Sequence, residues 1–241
     1  CRISDLPVYA KAQGQSAIAI TDHGNMFGAV SFYKACKKEG ITPIIGGEEY
    51  VAPKGISEKN REEKYHHMVL LCKNEQGYRN LCHLVSKGYT EGFYTRPRVD
   101  DTLLEAYHEG LIALSACIAG EIPRKLANGD LAGANKSLDD YLEIFGPENF
   151  FIELMDHNMP EEKELNPLLI DLARKRNIPM VVTNDVHYMK KEDADAVYAI
   201  LGSQDFEYVG VREVWLGATR GYGSARCGTP HRRAVAPLRE D

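Results

Sequence analysis

Short apolar runs of strand length alternate with amphipathic stretches through the first 200 residues of the chain. Six runs are rich in Ile, Val, Leu or Phe and are predicted to be strands: residues 17–21, 43–51, 68–72, 111–115, 150–154 and 179–183. Apolar residues three and four positions apart predict helices at residues 5–13, 25–38, 75–89, 131–145 and 161–175. Strands that alternate with helices are typical of βα units around a parallel sheet, so the pattern predicts an α/β fold.

The alternating pattern fades beyond residue 200. Residues 201–241 contain six Arg, six Gly and no Lys. We therefore predict a domain over residues 1–200 and a loosely ordered tail over residues 201–241, which is either a linker or a stretch foreign to that domain. A basic, Gly-rich arm that binds nucleic acid is the alternative interpretation of this tail.

The composition is that of a globular protein with a modest negative charge. Of the 241 residues 44% are hydrophobic, and 29 Lys and Arg against 35 Asp and Glu give a net charge of −6. This composition argues against a disordered or collagen-like chain. It also means that any binding of nucleic acid would need a local basic patch or metal ions.

Two features predict a cytoplasmic protein without a membrane anchor. No apolar run approaches the roughly 20 residues that span a bilayer. The six Cys residues are scattered and form no C-x-x-C pair, which favours a reducing compartment over a disulfide framework. Because the first residue is Cys rather than Met, we expect the chain to be a fragment or a processed product.

Side chains that can bind metal ions lie at or near the predicted strands: four follow a strand directly, Glu48 lies within one, and His67 directly precedes one. They are His23, Glu48, His67, Cys117, Asp185 and His187. Imidazole, carboxylate and thiolate form the ligand set of Zn²⁺, Mn²⁺ and Fe²⁺. Because the carboxyl ends of parallel strands meet on one face of a barrel, the pattern predicts a metal site there.

Each of these residues has an ordinary structural alternative. Asp22 and His23 fit a polar turn, Glu48 fits a buried salt bridge, and Cys117 fits a small core side chain. His67 fits a surface His pair, and it lies at the start of its run rather than the end, so either that strand begins earlier or the ligand projects from the preceding turn. Asp185 and His187 form the strongest element, because alternate residues of an extended segment point the same way.

Four further residues are weaker candidates. Asp22 and His157 lie close enough in sequence to predicted strand ends to approach the metal site. Arg96 and Arg98 lie among aromatic residues in a loop, which suits phosphate binding, although an ordinary solvated loop would look the same. The chain has no G-x-G-x-x-G, Walker A or G-x-S-x-G motif, so neither a nucleotide-cradling Gly loop nor a Ser nucleophile is supported.

Long phrases of the sequence resemble a known family. They read AIAITDHGNMFGAVSFYKACKKEGITPIIGGEEYVAP, GYRNLCHLVSKGYTEGFYTRPRVD, LSACIAGEIPRKL and NIPMVVTNDVHYMKKEDADA. These phrases are similar to the amino-terminal PHP (polymerase and histidinol phosphatase) domain of bacterial DNA polymerase III alpha subunits. The resemblance implies a distorted (βα)7 TIM-like barrel that holds up to three divalent metal ions, Zn²⁺ or Mn²⁺. His23, Glu48, His67, Cys117, Asp185 and His187 match its ligand positions.

The resemblance also has two departures. The family carries an H-x-H motif on a strand before residues 5–13, and this chain begins after it, so we expect a barrel that is incomplete at the N-terminus and a poor nuclease. Residues 201–241 do not resemble the family's continuation toward the polymerase palm.

The resemblance implies part of a replicative DNA-directed DNA polymerase. The expected role of this part is that of a metal-dependent phosphoesterase, with 3′ to 5′ exonuclease proofreading as its reaction. Two alternatives remain: a non-catalytic structural module that binds partners, and a free-standing PHP phosphatase. The implied partners are DNA, reached through the full-length polymerase, and other replicase subunits, including a proofreading exonuclease.

Overall fold

The computed structural model describes residues 1–60, 64–190, 193 and 236–237, which form seven helices and eight strands. The helices are α1 (Leu6–Ala12), α2 (Ala29–Glu39), α3 (Glu75–Thr90), α4 (Asp101–Tyr107), α5 (Glu121–Ala127), α6 (Leu131–Phe145) and α7 (Pro160–Arg176). The strands are β1 (Ala17–His23), β2 (Thr42–Val51), β3 (His66–Cys72), β4 (Arg98–Val99), β5 (Leu111–Leu114), β6 (Phe150–Leu154), β7 (Met180–Val182) and β8 (Ala236–Pro237).

Polar side chains set where several helices begin. The side chains of Asn74, Asp100 and Asp130 accept hydrogen bonds from backbone N–H groups three residues ahead, which caps α3, α4 and α6. Helix α2 begins four residues later than predicted. Asn25 accepts from the N–H of Phe27 and donates to the carbonyl of His23, so these residues form a turn that ends β1 before the helix can start.

The sheet has the strand order β1-β2-β3-β5-β6-β7-β8, with β4 paired to β2. Most neighbouring strands are parallel, as predicted, but β3 runs antiparallel to both β2 and β5. The prediction of a parallel sheet was therefore wrong for β3. The described residues between β2 and β3 contain no helix, and without a crossover helix the chain returns in the opposite direction.

The sheet is buried on both faces. Alternate residues of β3 show this: Leu70 packs in the large core beneath the helices, whereas Val69 and Leu71 pack in a smaller cluster on the other face. Within the described ranges no ladder joins β1 to β7, so the sheet is a curled, open one. The predicted α/β class, with a barrel that does not close, is confirmed.

Two predictions remain largely outside the described residues. The domain boundary near residue 200 is one, and the tail over residues 201–241 is the other, although Ala236–Pro237 form β8 and pair antiparallel with β7. None of the helices in the described part of the chain is long and apolar enough to cross a membrane. All five Cys residues in that part are free thiols.

Candidate metal centre

The candidate centre lies at one edge of the sheet, where β1 and β2 run side by side. His23 is the last residue of β1 and pairs in register with Glu48 of β2. His67 is the second residue of β3. Because β3 runs in the opposite direction, its first residues reach the same edge as the ends of its neighbours. Strand direction therefore explains why His67 lies at the start of its run.

Three side chains meet at this edge. One donor atom each from His23, Glu48 and His67 lie within 4.8 Å of one another, which is close enough to hold a metal ion. Nδ1 of His67 lies 2.5 Å from Oε1 of Glu48, and Nδ1 of His23 lies 3.7 Å from Oε2. Glu48, which is only 4% exposed, therefore contacts an imidazole through each of its oxygens.

The two imidazoles keep Glu48 in its charged form. Burial by itself would raise the pKa of Glu48, but the hydrogen bond from His67 and the charges of His23 and His67 outweigh it and hold the pKa below its ordinary value. A charged carboxylate is the form that binds cations. The next residue of β2, Glu49, is also buried. Its side chain points to the opposite face of the sheet, because successive residues of a strand alternate between the faces.

Cys117 approaches the same group from the loop after β5. Its Sγ lies 3.8 Å from Nδ1 of His67. Burial, followed by the charges of Glu48 and Asp185, raises the pKa of its thiol. The preceding residue, Ala116, has a φ of +62°, a left-handed conformation that a non-Gly residue keeps only when its surroundings hold it.

Asp185 and His187 lie in the loop after β7. The ring of His187 has its centroid 5.8 Å from that of His23, and its Nδ1 donates to the carbonyl of Asp185 at 2.8 Å. Burial and the neighbouring charge of Glu48 raise the pKa of Asp185, whereas His187 and His23 act in the opposite direction. These two residues thus share the electrostatic environment of the His23–Glu48–His67 group. Their role as ligands remains a prediction.

A cavity of about 350 Å³ opens beside these residues. Its lining includes Asp22, His23, Glu48, Asp185 and His187. Asp22 also accepts a hydrogen bond from the backbone N–H of Gly28, which ties its carboxylate to the turn before α2. His157, the other second-tier candidate, does not join the group: both of its ring nitrogens contact other partners, Glu162 and Asn184.

Glu153 is a buried carboxyl at the same cavity. Its place near the end of the predicted strand over residues 150–154 allows it to approach the site, but the sequence does not place it among the candidate ligands. Oε1 of Glu153 accepts a hydrogen bond from Oγ1 of Thr183 at 2.5 Å, whereas Oε2 has no partner among the described residues. Burial, opposed by the Thr183 hydrogen bond, raises the pKa of Glu153 to about 8. Its place near the end of a predicted strand was the available sequence signal, whereas its contact with Thr183 of the next strand end is visible only in the fold.

Two tyrosines pack against the histidines. The Tyr50 ring stacks on His23 with centroids 6.1 Å apart and meets His67 edge-on at 5.3 Å. The Tyr65 ring stacks on His67 at 6.0 Å. Each tyrosine is two residues from a candidate ligand, Glu48 or His67, and alternation along an extended chain could have predicted both contacts.

The two arginines of the predicted phosphate loop differ in their surroundings. Arg98 is buried and donates to the carbonyls of Gly92, Glu58 and Ile56, so its guanidinium joins two loops. Arg96 is half-buried, and its guanidinium lies over the ring of Tyr50 at 5.9 Å. Arg96 thus contacts the ring that stacks on His23. Phosphate binding by this pair remains a prediction.

The sequence pattern of the PHP domain family matches residues 1–157. The chain belongs to the PHP domain family. This PHP domain is 52% identical over 190 residues to DNA polymerase III subunit alpha from Treponema pallidum, a match that covers 78% of this chain and 16% of the relative. It is 44% identical over 203 residues to the same subunit from Thermus aquaticus, covering 83% of this chain and 17% of that protein. The resemblance inferred from the sequence is confirmed.

The chain spans about a sixth of the length of these curated relatives. Among solved structures, this PHP domain resembles a Bifidobacterium adolescentis protein described as a candidate metal-dependent phosphoesterase, with a TM-score of 0.50 and 13% identity. That match covers 77% of this chain and 82% of the other. At such low identity the match supports the fold alone.

Proposed function

We propose that this PHP domain forms part of a DNA polymerase III alpha subunit and acts there as a metal-dependent phosphoesterase on the 3′ ends of DNA strands. The observation that carries the proposal is the group formed by His23, Glu48 and His67, whose donor atoms lie within 4.8 Å of one another at one sheet edge. The similarity to DNA polymerase III alpha subunits supports the assignment to a replicase.

The residues of the group fit a divalent metal ion. His23, Glu48 and His67 would hold it, with Cys117, Asp185 and His187 as further ligands from adjacent loops. Nitrogen, oxygen and sulfur donors together favour Zn²⁺, and Mn²⁺ is the alternative where carboxylate and imidazole dominate. Such an ion would activate water as a nucleophile and neutralise the negative charge that develops on a phosphoryl group.

The chain's own residues prepare the site for a phosphodiester. His67 and His23 keep Glu48 charged. The ring of Tyr50 stacks on His23, and the ring of Tyr65 stacks on His67. Arg96, placed over Tyr50, is in a position to bind a substrate phosphate next to these rings. In the replicase, DNA would reach the site through the full-length polymerase, with other replicase subunits, including a proofreading exonuclease, as partners.

The experiment that tests this function is release of the 3′-terminal nucleotide from labelled single-stranded DNA. We expect slow release with added Mn²⁺ or Zn²⁺, as for a poor nuclease, loss of release with a chelator, and a strong further decrease in Asp185→Asn. The matched control is Asp156→Asn, which changes an exposed carboxylate near the same sheet edge. Release that persists in the chelator, or that is equal in Asp185→Asn and in the unchanged chain, would contradict the proposal.

One observation favours the alternative of a non-catalytic module that binds a protein partner. Phe27 is 84% exposed, and its ring lies 6.4 Å from that of Tyr89, which lies 6.2 Å from that of Phe93. Three adjoining exposed aromatic rings are typical of a protein-binding surface. Metal binding without any nucleotide release, in the experiment above, would favour this alternative.

A further inference from the structure

His157 and Glu162 form a buried pair next to the loop that carries Asp185. Their side chains are only 7% and 6% exposed. Nδ1 of His157 donates to Oε1 of Glu162 at 2.6 Å, and the backbone N–H of His157 donates to Oε2 at 2.6 Å. Nε2 donates to the carbonyl oxygen of Asn184 at 2.8 Å. The imidazole therefore links the start of α7 to the residue directly before Asp185.

The geometry defines the chemical state of the His157 ring. Its two partners, a carboxylate oxygen and a carbonyl oxygen, are both acceptors, so both ring nitrogens carry hydrogen. Hydrogen bonds between an imidazolium and a carboxylate are shorter and stronger than neutral ones. Neither ring nitrogen is left with a lone pair for a metal ion, so His157 is not a ligand in this arrangement.

The far end of the link is fixed as well. Glu162 lies in the first turn of α7, and Asn166 of the same helix donates from its amide to the carbonyl of Met155 at 2.8 Å. Helix α7 thus holds the chain at both Met155 and His157. The His157 ring is consequently held on a rigid element rather than on the loop that it contacts.

The loop on the other side needs such support. Asp185 has a φ of +41°, in the left-handed region, which costs free energy unless the surroundings impose it. The two residues before it are both held: Thr183 donates to Glu153, and the carbonyl of Asn184 accepts from His157. These contacts determine the direction in which the chain enters Asp185.

We infer that His157, held by Glu162, is a positioning residue that fixes the carbonyl of Asn184 and so directs the side chain of Asp185 toward the metal centre. The inference rests on the proposed metal site, and it assigns His157 to the support of a ligand rather than to the ligand set. Support of this kind is a general property of metal sites, because partners outside the ligand set orient the ligands themselves.

The test compares His157→Phe, which keeps an aromatic ring and removes both donors, with Glu162→Gln as a milder variant. In the metal-free protein, we expect amide hydrogen exchange in residues 183–190 to rise about 10-fold or more in His157→Phe, with exchange in β1 and β2 unchanged. Mn²⁺ binding, measured by calorimetry, should weaken about 10-fold or more. Glu162→Gln should show smaller changes in the same direction, and His157→Gln, whose amide can still donate to Asn184, should restore part of the affinity.

His83→Phe is the matched control, since its ring stacks on Tyr107 in another part of the fold and should affect neither measurement. A double-mutant cycle with Asp185→Asn separates positioning from a general loss of stability. If His157 acts through Asp185, the loss of Mn²⁺ affinity in the double variant falls short of the product of the two single losses. Independent losses that multiply, or unchanged exchange in residues 183–190, would overturn the inference.

The outcome is separable from that of the proposed function. Nucleotide release tests the chemistry, whereas exchange in residues 183–190 is measured without metal, substrate or turnover. A protein that fails to release nucleotides and still loses loop protection in His157→Phe would contradict the phosphoesterase proposal and support this inference.

Discussion

Oε1 of Glu48 lies 2.5 Å from Nδ1 of His67, across an antiparallel pair of strands. In the register Tyr50 pairs with His67 and Glu48 pairs with Val69, so Glu48 and His67 are diagonal neighbours on one face. Side chains at such positions are within reach of each other. His66 is next to His67 but lies on the opposite face of β3, where its Nδ1 is 3.4 Å from Nη1 of Arg124.

These adjacent histidines allow a paired test of the metal centre. We expect His67→Gln to weaken binding of Zn²⁺ or Mn²⁺ by about 10-fold or more, because it removes a predicted ligand. His66→Gln should leave the affinity nearly unchanged, because His66 projects away from Glu48. Calorimetric titration of both variants checks the expectation. Equal losses in the two variants would mean that the effect comes from disturbance of β3 rather than from a lost ligand.

Cys117 should give the metal centre a spectroscopic signature. Thiolate bound to Co²⁺ produces sulfur-to-metal charge-transfer absorption in the near ultraviolet, and thiolate is a preferred ligand of such ions. We expect this band in the Co²⁺-loaded protein and its loss in Cys117→Ser. Cys36→Ser is the control, since Cys36 is fully buried in the separate cluster beneath α2. A band that survives in Cys117→Ser would remove Cys117 from the ligand set.

The α/β class and the residues of the candidate centre could be predicted because each depends on local patterns. Periodicity identified six of the strands, and metal-binding residue types lay at or near them. The direction of β3 could not be predicted in this way. It depends on how the chain connects Val51 to His66. The apolar pattern of β3 itself would be the same whichever way that strand ran. His67 consequently looked exceptional in the sequence, although in the fold it reaches the same edge as His23.

The contacts of Glu153 and His157 show a second limit of sequence-based prediction. The role of each residue depends on a contact between elements far apart in the chain, Glu153 with Thr183 and His157 with Asn184. No spacing within one element reveals such contacts. The tyrosines were predictable in principle, because Tyr50 lies two positions from Glu48 on the same strand face.

Two glycines of α3 should respond oppositely to the same substitution. A Cβ at Gly77 would lie 1.9 Å from the carbonyl oxygen of Gly110, so Gly77→Ala should force the helix away from that loop and cost about 1 to 3 kcal/mol of unfolding free energy. A Cβ at Gly88 would meet only ordinary contacts at 3.5 Å. Gly88→Ala should therefore be neutral or stabilise by up to about 1 kcal/mol, because Ala favours a helix. Urea unfolding of both variants measures the difference, and a stabilising Gly77→Ala would contradict the close approach.

Arg96 and Arg98 should separate into a binding and a structural role. Arg98→Lys should lower the free energy of unfolding by about 2 kcal/mol or more, since one ammonium cannot replace a guanidinium that donates to three carbonyls. Arg96→Ala should change stability little and weaken the binding of single-stranded DNA. Thermal unfolding and fluorescence anisotropy with labelled DNA test the two expectations. Unchanged DNA affinity in Arg96→Ala would argue against phosphate binding by this loop.

The His157–Glu162 pair should make stability depend on pH in a defined window. Burial alone would lower the pKa of His157, but its hydrogen bonds to Glu162 and Asn184 raise it to about 8, from an ordinary value of 6.5. Burial by itself would raise the pKa of Glu162, but the hydrogen bond from His157 helps to outweigh it, so the pKa lies below its ordinary value. A raised histidine pKa contributes stability that is fully present below pH 6.5 and is lost as the pH rises through about 8.

The lowered pKa of Glu162 sets the acidic limit of that pH window. The contribution of Glu162 to stability is present above pH 4.5 and is lost as the pH falls through the lowered pKa. We therefore expect the difference in unfolding free energy between the unchanged chain and His157→Phe to be largest between about pH 5 and 6 and to shrink by about 2 kcal/mol by pH 9. Urea unfolding at pH 6 and pH 9 measures this difference, with His83→Phe as the reference for a histidine outside the pair. The difference in unfolding free energy cancels the titration of groups common to both proteins. A difference that stays constant from pH 6 to pH 9 would mean that His157 is not charged in the folded state.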